Sequence, residues 1–309
     1  MASRSLKSLC GLMSPIFPLK AKAKAKTSRR LQFMSDLHLE IGQQYMSFDF
    51  PTTAPFLVLG GDIGRLVDYD GYLAFLQRQA TRYERVFLVL GNHEFYGMSY
   101  GEGLERAGQL VCEPALAGKT TLLQQGRYEL DLPGARVIIL GCVLWSRIAA
   151  ESAERVAMAV SDFKQIRGWT VDAHNAAHAA DLAWLQAEME CIQREKSGER
   201  ERERVVVVIT HHAPLVRGTA SPRHDDSPYR SAFATDLLCR HGIGADCNRV
   251  KFWVFGHTHW TTDFAAASGV RLVSNQRGYV FPGNTRPIDQ GPMDLTPKHT
   301  FDPGRYIQL

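Results

Sequence analysis

Short, continuously apolar runs recur along the chain, and each of the first three stops at a polar tip. Leu31 to Ser35 ends at Asp36, Pro55 to Leu59 at Gly60-Gly61-Asp62, and Arg85 to Leu90 at Gly91-Asn92-His93. Unbroken apolarity, rather than alternation, marks strands buried on both faces. Between the second and third runs, Tyr72, Leu73, Phe75, Leu76 and Tyr83 recur at helical spacing, which predicts a helix over Tyr72–Arg82. Strand, tip, helix, strand, tip is α/β layering. Thr120–Leu123, Tyr128–Leu132 and Arg136–Leu144 read as consecutive strands, with Pro133-Gly134 as the clearest turn. A long helix comes next, from Val171 to about Ile192, and runs into the mixed-charge segment Arg194–Arg204, expected to be a solvated helix end. Arg204–Thr210 is a β-branched strand ending in His211-His212, and Lys251–Phe255 one ending in Gly256-His257-Thr258-His259. Thr261–Phe264 and Val270–Ser274 close the pattern, with no internal repeat and no linker that would divide the body.

The chemistry sits at the ends of five of these runs. The tips are Asp36-Leu37-His38, Gly61-Asp62, Gly91-Asn92-His93-Glu94, His211-His212 and Gly256-His257-Thr258-His259. Each is weak evidence alone: Asp-x-His is common, Gly-Asp is often a turn, and a loop Asn often caps a helix. Together they are specific, because α/β folds bind ligands where the carboxyl ends of strands converge. Imidazole and carboxylate donors favour a transition metal such as Fe, Mn or Zn over Mg or Ca.

In this order the tips resemble the calcineurin-like metallophosphoesterase superfamily, whose pattern is D-x-H, G-D, G-N-H-[DE], H and G-H-x-H. No piece is missing, and the resemblance covers roughly residues 30–285. It implies a four-layer α/β/β/α sandwich with the site at the carboxyl ends of the central strands, forming one domain over residues 31–309. It also implies two divalent ions, with Mn, Fe or Zn favoured. Asp36, His38 and His259 would hold one ion, Asn92, His211 and His257 the other, and Asp62 would bridge them. The choice of His211 over His212 rests on the family pattern alone. A shared carboxylate holds two ions roughly 3.5–4 Å apart, and such a pair makes water a nucleophile near neutral pH. His93 would stabilise the transition state or protonate the leaving oxygen, with Glu94 orienting its ring. His212, Arg65 and Arg277 are candidate substrate contacts. Asn275, Arg277 and Tyr279 lie in an Asn-x-Arg-Gly-Tyr segment resembling one found in a group of small bacterial and fungal members.

Composition narrows the substrate. Eight of the basic residues, and no acid, lie within the first 35 positions, so the net charge of +4 comes from an appendage while the body carries a slight excess of acid. A nuclease groove is therefore not expected. Protein Ser/Thr phosphatases of the family carry G-D-x-V-D-R-G, whereas this chain has Gly61-Asp62-Ile63-Gly64-Arg65-Leu66-Val67. A small-molecule phosphomonoester or phosphodiester is the expected substrate. The alternatives are a metal-dependent protein phosphatase and a non-catalytic protein-binding scaffold on the same fold. His174 and His178, four apart on a helix, lack a third ligand and read as ordinary helix-face residues. Arg223-His224-Asp225-Asp226 reads as a solvated loop within reach of a substrate.

Six scattered cysteines without a C-x-x-C pair suit a reduced, intracellular and cytoplasmic protein. No apolar run approaches the roughly 18 residues needed to cross a bilayer. Residues 1–30 read as a basic, disordered extension, and their missing acids also suit a mitochondrial transit segment.

Overall fold

A computed structural model of the protein describes residues 29–195, 203–238, 249–284 and 299–309. The basic extension up to residue 28 lies outside the described residues, as does most of the charged segment between 194 and 204.

Two sheets form the centre. The first has the order β11-β1-β2-β3-β4, built from β1 (Arg30–Met34), β2 (Phe56–Gly60), β3 (Arg85–Val89), β4 (Thr120–Leu122) and β11 (Tyr306–Gln308). The second has the order β5-β6-β7-β8-β10-β9, built from β5 (Gly126–Leu132), β6 (Ala135–Cys142), β7 (Glu203–Thr210), β8 (Val250–Phe255), β9 (Thr262–Ala265) and β10 (Arg271–Ser274). Strands β1 to β4 are mutually parallel, and so are β6, β7, β8 and β10.

The alternation of side chains along each strand separates three cores. Phe56 and Val58 of β2 face Val205, Val207 and Ile209 of β7 in the layer between the sheets. Leu57 and Leu59 of β2 point outward, under α1 (Tyr69–Arg82) and α2 (Tyr100–Val111). Val206 and Val208 of β7 point outward on the other side, under Leu185, Met189 and Ile192 of α5 (Val171–Arg194). Strands this apolar are stable only when covered on both faces, and the result is the expected four-layer α/β/β/α sandwich.

The patterning missed two short helices, α3 (Ala153–Ala159) and α4 (Asp162–Gln165), together with α2 and β11. Helix α2 buries only Gly103, Ala107 and Leu110, too narrow a stripe to stand out. Its start is nevertheless marked, because Ser99 and Glu102 form a reciprocal capping box. Strand β11 is three residues long and owes its existence to pairing with β1 at the far end of the chain. Among the described residues no helix is long and apolar enough to cross a membrane.

Leu140 of β6 is fully buried beneath α5. Leu140→Ala is expected to lower the unfolding free energy by about 2–5 kcal/mol, read from urea denaturation. No measurable loss would mean that this layer does not support the second sheet.

Candidate metal centre

Both sheets present the carboxyl ends of their parallel strands at one edge of the sandwich, and all five polar tips meet there. Asp36 and His38 follow β1, Asp62 follows β2, Asn92 and His93 follow β3, His211 follows β7, and His257 and His259 follow β8. The seam is tight. A Cβ on Gly61 would fall 2.4 Å from His211 Nδ1, and one on Gly91 would fall 2.2 Å from Asp62 Oδ1. Glycine before the donors is thus required by the close approach of the two sheets.

Three sets of side chains bring their donor atoms within 4.8 Å of one another: Asp36, His38 and His259; His38, Asp62 and His93; and Asp62, His211 and His257. Asp62 belongs to two of them, and its two oxygens face different neighbours. Oδ1 lies 3.4 Å from His211 Nε2, while Oδ2 lies 3.9 Å from His38 Nε2. Asn92 Oδ1 is 3.1 Å from His211 Nε2, so it joins the third set.

These donors suit cations. His38 Nε2 and His259 Nε2 face each other at 2.9 Å, an approach that needs a positive charge or a shared proton between them. His257 Nε2 is buried without a protein partner. Burial lowers the His211 pKa, but the Asp62 carboxylate outweighs it and the net effect is a rise to about 10. Burial alone would raise the Asp62 pKa, yet the surrounding His211, His93 and His38 hold it well below its usual value. Asp36, His38, Asp62, His257 and His259 all adopt positive φ, between 48° and 73°. Such left-handed backbone on non-glycine residues costs about 1–3 kcal/mol each and clusters at ligand-holding sites.

Neighbouring groups fix the donors. Ser35 Oγ donates to Asp36 Oδ2, and His257 N donates to Asp36 Oδ1 at 2.9 Å. His211 Nδ1 donates to Gly60 O at 3.0 Å, which turns Nε2 toward Asp62. The His257 ring is held between His212, with centroids 4.0 Å apart, and Phe233 at 4.8 Å.

The orienting role expected of Glu94 falls to a different glutamate. Glu94 does not orient His93. Its carboxylate accepts from the backbone N–H groups of Asp62 (2.9 Å), Ile63 (2.8 Å) and Gly91 (2.7 Å), and from the Tyr72 hydroxyl (3.0 Å). It is a bracket between the second and third tips, and burial beside Asp62 raises its pKa to about 7. Glu40 takes the orienting position. Its Oε1 accepts from His93 Nδ1 at 2.9 Å and from His38 Nδ1 at 3.3 Å. Burial raises its pKa, but the two imidazole hydrogen bonds outweigh that and lower it to about 2. Glu40 lies two residues beyond His38, close enough in sequence to have been suspected. Tyr96 was also missed: it stacks on His93 at 4.2 Å.

The candidate substrate contacts fare differently. His212 is fully buried behind His257, and burial together with His257 holds its pKa well below normal, so it is a packing residue and does not reach the cavity. Arg277 donates to Leu37 O and Gln44 Oε1 and lies over the Phe48 ring, bracing the loop after the first tip. Arg65 lies over the Tyr96 ring, outside the cavity wall. His174 and His178 are buried rather than exposed on the helix face, and His178 Nδ1 donates to Leu144 O at 3.0 Å. Tyr279 does reach the site, with its hydroxyl 3.2 Å from His93 Nε2.

Asp62, Asn92, His257 and His259, with His93, form the floor of a cavity of about 520 Å³. Its walls come from Ala159 to Asp162 on one side and the loop from Val216 to Ala234 on the other. Apolar Val160, Phe233 and Trp260 line it beside Arg223, His224 and Arg230. The loop read as solvated therefore does form part of the wall.

A sequence model of the calcineurin-like phosphoesterase family matches residues 30–261. An uncharacterised protein of Acanthamoeba polyphaga mimivirus, L509, is 27% identical over 279 residues, spanning 81% of this chain and 91% of the viral protein. Among solved structures, the phosphopantetheinyl hydrolase PptH of Mycobacterium tuberculosis superposes with a TM-score of 0.57 at 16% identity, covering 82% of this chain and 91% of that one. That likeness is one of fold.

Glu94→Ala leaves three buried backbone N–H groups without an acceptor and is expected to cost about 3 kcal/mol or more in stability. Chemical denaturation reads it, and a variant as stable as the parent would remove Glu94 as the bracket.

Proposed function

The chain belongs to the calcineurin-like phosphoesterase family, whose members are phosphoric ester hydrolases, and from that premise we propose that it hydrolyses a small-molecule phosphomonoester or phosphodiester using two divalent metal ions. One observation carries the reading: donor atoms from five strand ends converge around Asp62, and Asp62, Asn92, His257 and His259 among them open onto a single cavity. Asp36, His38 and His259 would hold one ion, Asn92, His211 and His257 would hold the other, and Asp62 would be shared. When bound, such a pair neutralises phosphoryl oxygens and makes water acidic enough to attack phosphorus near neutral pH.

The chain's own groups do the rest. Ser35 and the His257 N–H hold Asp36, while Gly60 O and Asn92 hold His211, so the donors are aimed before any ion arrives. Glu40 keeps the His93 proton on Nδ1 and the ring upright against Tyr96. Burial lowers the His93 pKa, but the Asp62 and Glu40 carboxylates outweigh it and favour the imidazolium, so Nε2 carries a second proton; it faces the cavity beside the Tyr279 hydroxyl, placed to deliver that proton to the leaving oxygen. The walls favour a small molecule. They bound a cavity of about 520 Å³ that mixes apolar surface with arginine, which suits an organic group next to an anionic phosphate. The Asp-Arg-Gly stretch of the protein phosphatases is absent after Gly61-Asp62, which argues against a phosphoprotein substrate.

Purified protein supplied with Mn²⁺ is expected to hydrolyse p-nitrophenyl phosphate or its bis ester, with about two ions per chain by elemental analysis. No turnover with any divalent ion, and no bound metal, would sink the reading. His93→Ala should keep both ions and lose about 10²–10⁴-fold in kcat. Unchanged turnover would take His93 out of the mechanism.

A further inference from the structure

Asp162 opens α4 and lies 70 residues beyond Asn92 in sequence, yet the two side chains touch. Asn92 Nδ2 donates to Asp162 Oδ1 at 2.8 Å and to the Tyr96 hydroxyl at 3.1 Å. Tyr96 in turn donates its own proton to Asp162 Oδ1 at 2.7 Å. The three side chains thus form a closed triangle of contacts. Asp162 is 1% exposed and Asn92 is 4% exposed.

We propose that Asp162 is a positioning residue that aims the Asn92 carboxamide, with its nitrogen turned away and its oxygen turned toward the metal donors. An amide presents either of two atoms to a site, and only the oxygen can serve as a ligand. Asp162 Oδ1 takes the Tyr96 hydroxyl proton and so stands as an acceptor toward the amide as well. Flipping Asn92 would set its carbonyl oxygen against Asp162 Oδ1 and forfeit both hydrogen bonds from Nδ2. The unflipped amide has Oδ1 3.1 Å from His211 Nε2. Through Tyr96, whose ring stacks on His93, the same carboxylate also steadies the proton-delivering group. The inference rests on the proposed role of Asn92 as a metal ligand.

The test is titration of metal-free full-length protein with Mn²⁺ by calorimetry, with elemental analysis of the loaded protein. Asn92→Ala checks the underlying reading. If it still binds two ions with parental affinity, Asn92 is not a ligand and both readings fall. If it loses one ion, Asp162→Ala is expected to weaken the same ion about 10–100-fold and to leave the other in place. The retained ion reports that the variant is folded. Asn92→Asp supplies an oxygen whichever way it turns, but alone it sets two carboxylates against each other. The double variant Asp162→Ala with Asn92→Asp removes that conflict and no longer needs aiming, so it should regain the second ion. Parental affinity in Asp162→Ala would overturn the proposal. So would a double variant that stays deficient, because Asp162 would then act through general packing rather than through the direction of an amide.

Discussion

A carboxylate buried between two sheets has to be balanced by positive charge, and at the edge of this sandwich that carboxylate is Asp62. It is 2% exposed, and moving such an ion out of water costs several kcal/mol unless partners compensate. His211, His93 and His38 surround it and hold it ionised. Its charge also spreads outward, raising the pKa of His211 on one side and of Glu94 on the other. The first sheet carries Asp62 and the second carries His211, so the same interaction that suits a shared cation also closes the seam between the sheets.

Holding that arrangement demands backbone that most residues avoid. Five of the donor residues take left-handed φ values. The first tip is held by backbone hydrogen bonds to the second, from Asp36 N to Gly61 O and from His38 N to Asp62 O. The second and third tips are pinned together by Glu94. Strain at one tip is thus supported by its neighbours, and the four layers behind supply the rigidity.

Orientation is imposed by a second set of side chains around the donors. Glu40 fixes His93 and His38, Asp162 holds Asn92, and His212 supports His257 from behind. None of these offers an atom to the three donor sets. Their shared feature is burial with one well-placed contact to a donor ring or amide. The outer walls of the cavity, by contrast, are exposed and mixed in character, with Arg223 and Arg230 near Phe233 and Val160.

The layered α/β architecture and the candidate donor residues at its strand ends were legible in the sequence. Both are local facts: unbroken apolar runs make buried strands, and the residues just beyond a strand stand at its end. Only the tertiary structure decided which glutamate orients His93, since Glu40 and Glu94 are each within a few residues of a tip and their directions depend on how the tips pack. The packing also set Arg277 to brace a loop, Arg65 over the Tyr96 ring outside the cavity wall, and His212 behind His257. Asp162 left no trace in the pattern, because its partner Asn92 is reached across 70 residues of chain and through a helix of four. Strand ends are written in neighbouring residues; the contacts that aim a donor come from wherever the fold brings a buried side chain within hydrogen-bonding distance.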